Sequence, residues 1–150
     1  MISNSKSDLL NFERLNGPLI TKSLERDLKY SDESVSFGAF GTRIISKENI
    51  ERLNSLGLAY HSIVQSLIEK DFEVRSFFMN NKIWSMAIFS QNDDQTKVDY
   101  RAYNLDNPNR MVPFKFEEEE ENKIRIFMKM ANLDTGSIDF IVTKQGETVF

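Results

Sequence analysis

The sequence predicts an α+β protein built on antiparallel sheets with flanking helices. Its strand-like and helix-like segments come in clusters and do not alternate strictly, which favours an α+β fold over a parallel α/β fold. Four strand-like runs follow one another between residues 59 and 104, and Asn80-Asn81 between two of them is a good hairpin turn because Asn tolerates positive φ. These runs, which include "TKVDYRAYN", are interpreted as an antiparallel meander.

The N-terminal segments predict a helix and then a strand. Apolar side chains recur on one face of Asp8–Leu15, which predicts a short amphipathic helix that Ser7 is placed to cap. Gly17-Pro18 ends this helix. The next segment, "PLITKSL", is a strand that carries Lys22 near its end.

A polar loop, a glycine-interrupted segment and a second helix follow. "RDLKYSDES" is polar and predicts a loop, whereas "VSFGAFGTRII" predicts a strand pair or one bent strand interrupted by two glycines. A helix from about Lys47 to Leu56 comes next. Gly57 stands where helices often need a left-handed residue, and it is expected to end this helix.

The last third predicts a loop, a helix and a hairpin. "LDNPNRMVP" is interpreted as a loop and "EEEEENKIRIFMKMANL" as a helix. One face of this helix combines Ile124, Phe127, Met128 and Ala131. The acidic run Glu117–Glu121 suggests a metal site, but its place in the first helical turn favours a solvated helix start, since carboxylates stabilise that end of the helix dipole. "TGSIDFIVTKQGETVF" predicts a strand, a Gly-containing turn and a returning strand.

Composition excludes several classes of site. The chain has 150 residues and no cysteine, so disulfides, thiolate nucleophiles and Cys-zinc sites are excluded, and the absence fits a reducing cytoplasm. His61 is the sole histidine, is interpreted as an ordinary strand residue, and rules out a three-histidine metal site. The net charge of -4 argues against non-specific nucleic-acid binding, and no apolar run is long enough for a membrane span.

Five segments carry a resemblance when they are read in order. They are "PLITKSL", "SFGAFGT", "VQSLIEKDFEVRSFF", "TKVDYRAYN" and "GSIDFIVTKQGETVF". Together they resemble the ATP-grasp ligases, most of all the branch that modifies ribosomally made peptides, such as the microviridin-type and "grasp-with-spasm" maturases. The resemblance implies two α+β lobes, here residues 1–62 with a glycine loop and residues 63–150, with ATP held between antiparallel sheets.

The same resemblance implies the chemistry. In that family the ATP γ-phosphate is transferred to a substrate carboxylate, and a hydroxyl or amine then displaces phosphate to form an ester or amide. ATP and Mg²⁺ are therefore the implied cofactors. A precursor peptide is the implied partner, and the full-length protein is compatible with a homodimer.

Several residues match the nucleotide-binding positions of the family. Lys22 matches the phosphate-contacting lysine, although a strand-end lysine also snorkels to solvent without any ligand. Gly38 and Gly41 match the loop that closes over the phosphates, although both fit ordinary bulges. The implied hinge, whose backbone binds adenine, comprises Gln65, Ser66, Leu67 and Ile68. Glu73 is implied to bind the ribose hydroxyls.

The remaining matches concern the reacting groups. Arg75 is implied to face the cleft near phosphate or substrate, with a surface ion pair between Glu73 and Arg75 as the alternative. Arg101, expected on one strand face with Asp99, is implied to be the catalytic cation beside the transferred phosphoryl group. Arg110 is a much weaker candidate, for which a solvent-exposed role is favoured. Asp139, an acidic residue in an apolar strand, is the implied magnesium ligand.

The ends of the chain led to a further expectation. The family continues after the last hairpin into a segment with a Glu and an Asn that complete the metal site, and it begins with a separate N-terminal domain, so the chain resembles a fragment truncated at both ends. We therefore expect weak Mg-ATP binding and little turnover by the isolated chain. Two alternatives stay open: a non-catalytic peptide-binding or interaction domain derived from the same fold, and a kinase or other ATP user.

Overall fold

The computed structural model describes residues 1–23, 29–31, 36–38, 41–56 and 62–150. The chain divides into two compact units, Met1–Leu67 and Ile68–Phe150. Every strand pair in the described ranges is antiparallel, and helices accompany the sheets in both units. The predicted α+β class with antiparallel sheets is confirmed.

The described residues of the first unit form a four-stranded sheet, a two-stranded sheet and two helices. In chain order its elements are β1 (Ile2–Ser3), α1 (Lys6–Asn16), β2 (Leu19–Ser23), β3 (Lys29–Ser31), β4 (Ser36–Gly38), β5 (Arg43–Ile45), α2 (Lys47–Leu56) and β6 (Ser62–Ser66). The larger sheet has the strand order β1-β6-β2-β5, and β3 pairs with β4. Part of the segment predicted as a polar loop therefore forms β3.

Apolar burial on one face of the larger sheet organises this unit. Leu19 of β2 and Val64 of β6 are buried with Leu9 of α1 and Ile50 of α2. Because strand side chains alternate, Lys22 and Gln65 lie on the opposite face of the sheet. The opposite face therefore carries these two polar side chains together with Ile20, Ile44 and Ile63.

The start of α1 corrects one prediction. Ser5, not Ser7, is the N-cap: its backbone is extended and its hydroxyl accepts a hydrogen bond from the Asp8 amide at 3.4 Å. Ser7 already lies in the first helical turn, where its side chain cannot take the capping position.

The second unit is a five-stranded sheet with one helix. Its elements are β7 (Phe72–Met79), β8 (Lys82–Phe89), a 3-10 turn (Ser90–Asn92), β9 (Arg110–Phe114), α3 (Glu118–Met130), β10 (Thr135–Val142) and β11 (Thr148–Val149). The strand order is β11-β10-β7-β8-β9. Both predicted hairpin turns are confirmed: Asn80 and Asn81 have φ of 47° and 65°, and the β10–β11 turn contains Gly146 at φ 83°.

Helix α3 covers one face of this sheet and leaves the other for the candidate site. Ile124 and Met128 are buried against sheet residues such as Val74 and Phe140, whereas Phe127 of the predicted apolar face is 43% exposed. Alternation along the strands points a second set of side chains away from α3. This outer face carries Arg75, Phe77, Met79, Trp84, Met86 and Asp139.

The predicted four-strand meander is wrong at both ends. Its first run forms β6, which pairs with β1 and β2 in the first unit. Its last run, "TKVDYRAYN", is a loop, because side chains there hydrogen-bond nearby backbone amides in place of a strand ladder: Asp99 accepts from the Arg101 amide, and Asn104 accepts from the Asp106 and Asn107 amides. The strand that pairs with β8 in its place is β9, which comes from the segment predicted as a loop.

Candidate active site

Arg75 and Asp139 form the centre of the candidate site. Strands β7 and β10 are adjacent, and their register places these two residues directly opposite each other on the outer face. Arg75 Nε donates to Asp139 Oδ1 at 2.8 Å and Arg75 Nη2 to Oδ2 at 3.0 Å. Both side chains remain about 40% exposed, at 41% and 40%, so a ligand in solution can reach this bidentate pair.

Tyr100 joins this pair from the loop between β8 and β9. Its hydroxyl donates to Asp139 Oδ1 at 3.2 Å, and the guanidinium carbon of Arg75 lies 5.3 Å from the centre of its ring. The residue itself is only 4% exposed. Tyr100 therefore holds the carboxylate from one side while its ring supports the guanidinium.

Asp99 and Arg101 form a second ion pair in the same loop. Arg101 Nε and Nη2 donate to the two Asp99 oxygens at 2.8 and 2.9 Å. Asp99 is almost buried, with its side chain 7% exposed, whereas the Arg101 side chain is 49% exposed. The prediction that both lie on one strand face is wrong, because Asp99 caps a turn by accepting from the Arg101 amide. The pair nevertheless presents an anchored guanidinium to solvent.

The electrostatics of this cluster keep its cations charged. Hydrogen bonding to Asp139 raises the pKa of Arg75. Hydrogen bonding to Asp99 raises the pKa of Arg101, and the negative charge of Asp139 adds to that rise. Burial, followed by the charge of Asp139, raises the pKa of Tyr100, which therefore stays a protonated donor at neutral pH. We name this group the acid–arginine cluster: Arg75, Asp99, Tyr100, Arg101 and Asp139.

Glu73 lies in a buried polar network on β7. The residue is 6% exposed, and its oxygens accept from Lys70 Nζ at 2.5 Å and from the Ser90 hydroxyl. Lys70 also donates to the Val98 carbonyl at 3.1 Å, so this network ties β7 to the loop that carries the acid–arginine cluster. The contact of Glu73 with ribose stays a prediction.

The other predicted nucleotide-binding residues belong to the first unit, except Ile68, which begins the second. Lys22 is half-buried on β2, and Gly41 has φ of 64°, a backbone conformation that suits glycine. Gly38 ends β4, Gln65 and Ser66 end β6, and the Leu67 amide donates to the Pro18 carbonyl at 2.7 Å. Gly57 and His61 lie outside the described residues.

An apolar strip lies beside the cluster on the outer face. Phe77 and Trp84 face each other across β7 and β8 with ring centres 6.1 Å apart, and they are 42% and 49% exposed. Met79 and Met86 are also exposed there. The sequence did not single out this strip or Tyr100, although the alternation in "FEVRSFFM" and "KIWSMAIF" places Arg75 and Phe77 on one face.

The donor set at Asp139 suits a metal that is shared with a ligand. The described residues contain no group of three or more His, Cys, Asp or Glu side chains arranged to hold a metal ion. Mg²⁺ commonly takes one or two carboxylates and completes its shell with phosphate oxygens and water. A half-exposed carboxylate that already holds a cation, the Arg75 guanidinium, fits that role.

The helices also bear on membrane insertion. None of the helices in the described ranges has the length and apolar character needed to cross a bilayer.

Solved structures with the same fold give the chain its context. No protein-family model and no curated protein matches it. A RiPP-associated ATP-grasp ligase from Chryseobacterium gregarium, in complex with ADP and a leader and core peptide, is 22% identical with a TM-score of 0.87, and the match covers 100% of this chain and 44% of that one.

Two further structures are similar. The macrocyclase MdnC from Microcystis aeruginosa MRC, bound with precursor peptide MdnA, is 25% identical with a TM-score of 0.77, over 100% of this chain and 46% of that one. The ATP-grasp ligase PsnB, complexed with a minimal precursor, Mg and ADP, is 16% identical with a TM-score of 0.68, over 99% and 41%. The chain thus spans less than half the length of these proteins. The resemblance predicted from the sequence is confirmed, and the chain has an ATP-grasp fold.

Proposed function

We propose that this chain binds ATP and Mg²⁺ as part of an ATP-dependent carboxylate ligase that forms ester or amide bonds in a ribosomally made peptide. The acid–arginine cluster is the observation that carries the proposal, because it places two anchored guanidinium groups beside an accessible carboxylate. The similar structures with ADP, Mg and precursor peptides support the choice of nucleotide, metal and substrate class.

The proposed reaction has two steps. An oxygen of the peptide carboxylate attacks the γ-phosphorus of ATP, and ADP leaves, which gives an acyl phosphate. A hydroxyl or amine of the peptide then attacks the acyl carbon, loses its proton, and phosphate leaves as the ester or amide forms. Mg²⁺ at Asp139 supplies screening of the phosphate charge in this scheme.

Arg101 and Arg75 are proposed to contact the transferred phosphoryl group. Each guanidinium uses two N–H groups on its carboxylate partner and carries further N–H donors for phosphate oxygens. Asp99 fixes the plane of the Arg101 guanidinium before substrate binds, so little side-chain freedom of Arg101 is lost on binding. Positive charge held in advance is what a reaction with developing phosphate charge requires.

The nucleotide contacts are proposed from the first unit and the start of the second. Lys22 contacts phosphate, Gly38 and Gly41 let backbone amides approach it, and the hinge of Gln65, Ser66, Leu67 and Ile68 meets adenine. Glu73 meets the ribose in this scheme. It must then share its oxygens between the ribose hydroxyls and the donors Lys70 and Ser90, which already contact them.

Nucleotide binding tests the proposal directly. Calorimetric titration with a non-hydrolysable ATP analogue at saturating Mg²⁺ is expected to show binding, and Arg101→Ala is expected to weaken it about tenfold to a hundredfold because a charged hydrogen bond to the γ-phosphoryl group is lost. Arg110→Ala is the matched control, since this arginine lies over the Phe89 ring, 4.8 Å from its centre, and has no place in the proposed site. The absence of binding by the ATP analogue, or equal effects of the two substitutions, would contradict the proposal.

Product formation tests the chemistry. A peptide with Asp or Glu carboxylates and Thr or Lys nucleophiles, incubated with ATP, Mg²⁺ and the full-length protein, is expected to lose one water per bond formed, as measured by mass spectrometry. Lys22→Ala and Arg101→Ala should abolish that loss while peptide binding persists. Peptide binding without any effect of ATP would favour a non-catalytic binding domain instead.

A further inference from the structure

We propose that Arg75 is an exchangeable counter-ion: it neutralises Asp139 when no metal is bound, and it releases the carboxylate and turns to phosphate when a divalent cation arrives with nucleotide. The inference rests on the proposed function. It goes beyond that function because it makes the metal and the arginine alternatives at one carboxylate, so that binding of one displaces the other.

The contacts of Asp139 lead to this inference. Arg75 covers both oxygens of the carboxylate, and Tyr100 donates to Oδ1 as well. A divalent cation bound to the same carboxylate would lie within a few ångströms of the guanidinium, and two cations at that distance repel each other. The metal and the bidentate contact of Arg75 therefore compete for Asp139.

The pair is built so that it can exchange. Both side chains are about 40% exposed, and an ion pair in contact with water contributes little stability, so its rupture does not threaten the fold. Tyr100 is almost buried and can keep its hydrogen bond to Oδ1 after Arg75 has left. A carboxylate fixed by an outer hydrogen bond is the arrangement that orients metal ligands.

The proposal predicts opposite changes for two ligands in one variant. Arg75→Gln removes the competing cation, so the chain should bind Mn²⁺ alone severalfold more tightly, as measured from free Mn²⁺ by electron paramagnetic resonance. The same variant loses a contact with the γ-phosphoryl group, so it should bind a non-hydrolysable ATP analogue at saturating Mg²⁺ about tenfold to a hundredfold more weakly. A variant that had lost its structure would instead bind both ligands more weakly.

Two controls separate competition from a change in overall charge. Lys82→Gln removes one positive charge from the outer face of the same sheet, opposite Met79 and away from Asp139, and should leave Mn²⁺ affinity unchanged. Arg75→Gln combined with Asp139→Asn should lose the gain in Mn²⁺ affinity, because the carboxylate that binds the metal is gone. The urea midpoint of each variant shows that it is folded.

The outcomes are distinct. Unchanged or weaker Mn²⁺ binding by Arg75→Gln, an equal gain in Lys82→Gln, or a gain that persists without Asp139 would each overturn the counter-ion role. Unchanged binding of the ATP analogue by Arg75→Gln would overturn the transfer of the guanidinium to phosphate. Failure of the unmodified chain to bind the ATP analogue would contradict the proposed function, and the counter-ion role would then be decided by the Mn²⁺ measurements.

Discussion

Replacement of Lys70 by alanine is expected to destabilise the second unit strongly, because it leaves a carboxylate in the protein interior without its cation. The side chains of Lys70 and Glu73 are 7% and 8% exposed, so water cannot replace the lost partner. Lys70 also donates to the Val98 carbonyl, which loses that hydrogen bond as well. Removal of one member of a buried ion pair costs about 3–5 kcal/mol.

The assay is urea unfolding followed by tryptophan fluorescence. Trp84 is the single tryptophan of the chain and lies on β8, so its emission reports on the second unit. With a urea dependence of about 2 kcal/mol per molar, the expected loss lowers the midpoint by about 1.5–2.5 M.

Lys97→Ala provides the matched control. Lys97 pairs with Asp94 at the same sequence separation as Lys70 and Glu73, and the distances are 2.6 and 2.5 Å. The Lys97 and Asp94 side chains are 48% and 95% exposed, so this pair is expected to contribute less than about 1 kcal/mol. If both substitutions shift the midpoint equally, burial does not set the value of the Lys70 pair and the reasoning is refuted.

Three further predictions use the same chain. Met128→Ala removes a side chain that is 1% exposed and should lower the free energy of unfolding by about 2–5 kcal/mol in the Trp84 assay; a loss below about 1 kcal/mol would contradict the packing described for α3. Asn81→Val puts a β-branched residue at φ 65° and should cost about 1–2 kcal/mol, whereas Asn81→Gly should cost nothing; equal losses would argue against the turn. Because the folded state raises the pKa of Tyr100, its contribution to stability is complete below the ordinary tyrosine pKa of about 10 and is lost as the pH rises through the higher folded value. Spectrophotometric titration should therefore show one tyrosine that ionises at a higher pH than the others, and Tyr100→Phe should lack this transition. If the transition persists in that variant, it belongs to a different tyrosine.

Local signals were enough for the elements with strong periodicity or turn chemistry. The acidic start and apolar stripe of α3, the Asn80-Asn81 turn and the terminal hairpin each depend on residues close in sequence, and all three were predicted correctly. Arg75 and Asp139 were both recognised as candidate residues. Their direct pairing was not predicted, because they are 64 positions apart and strand register across such a distance is set by tertiary packing.

The segment "TKVDYRAYN" was predicted as a strand and is a loop, whereas β9 comes from a segment that was predicted as a loop. Both errors have a similar cause. The first segment alternates like a strand, yet the Asp99 side chain satisfies a backbone amide and a guanidinium at once, which stabilises a turn that alternation does not reveal. Strand β9 contains Pro113, which argues against a strand in sequence terms unless the strand lies at a sheet edge. Edge position is a property of the assembled sheet, where among the described strands β9 pairs with β8 alone.

Pro113 also bears on how the protein behaves at high concentration. An edge strand exposes unpaired backbone N–H and C=O groups on its outer side. A strand from another chain can pair with these groups, and this is a common route to aggregation. A proline in an edge strand usually occupies a position whose N–H would have pointed away from the sheet. A strand from another chain therefore has no N–H donor to pair with at that position. The residue that obscured β9 in the sequence thus protects the folded chain from self-association along that edge.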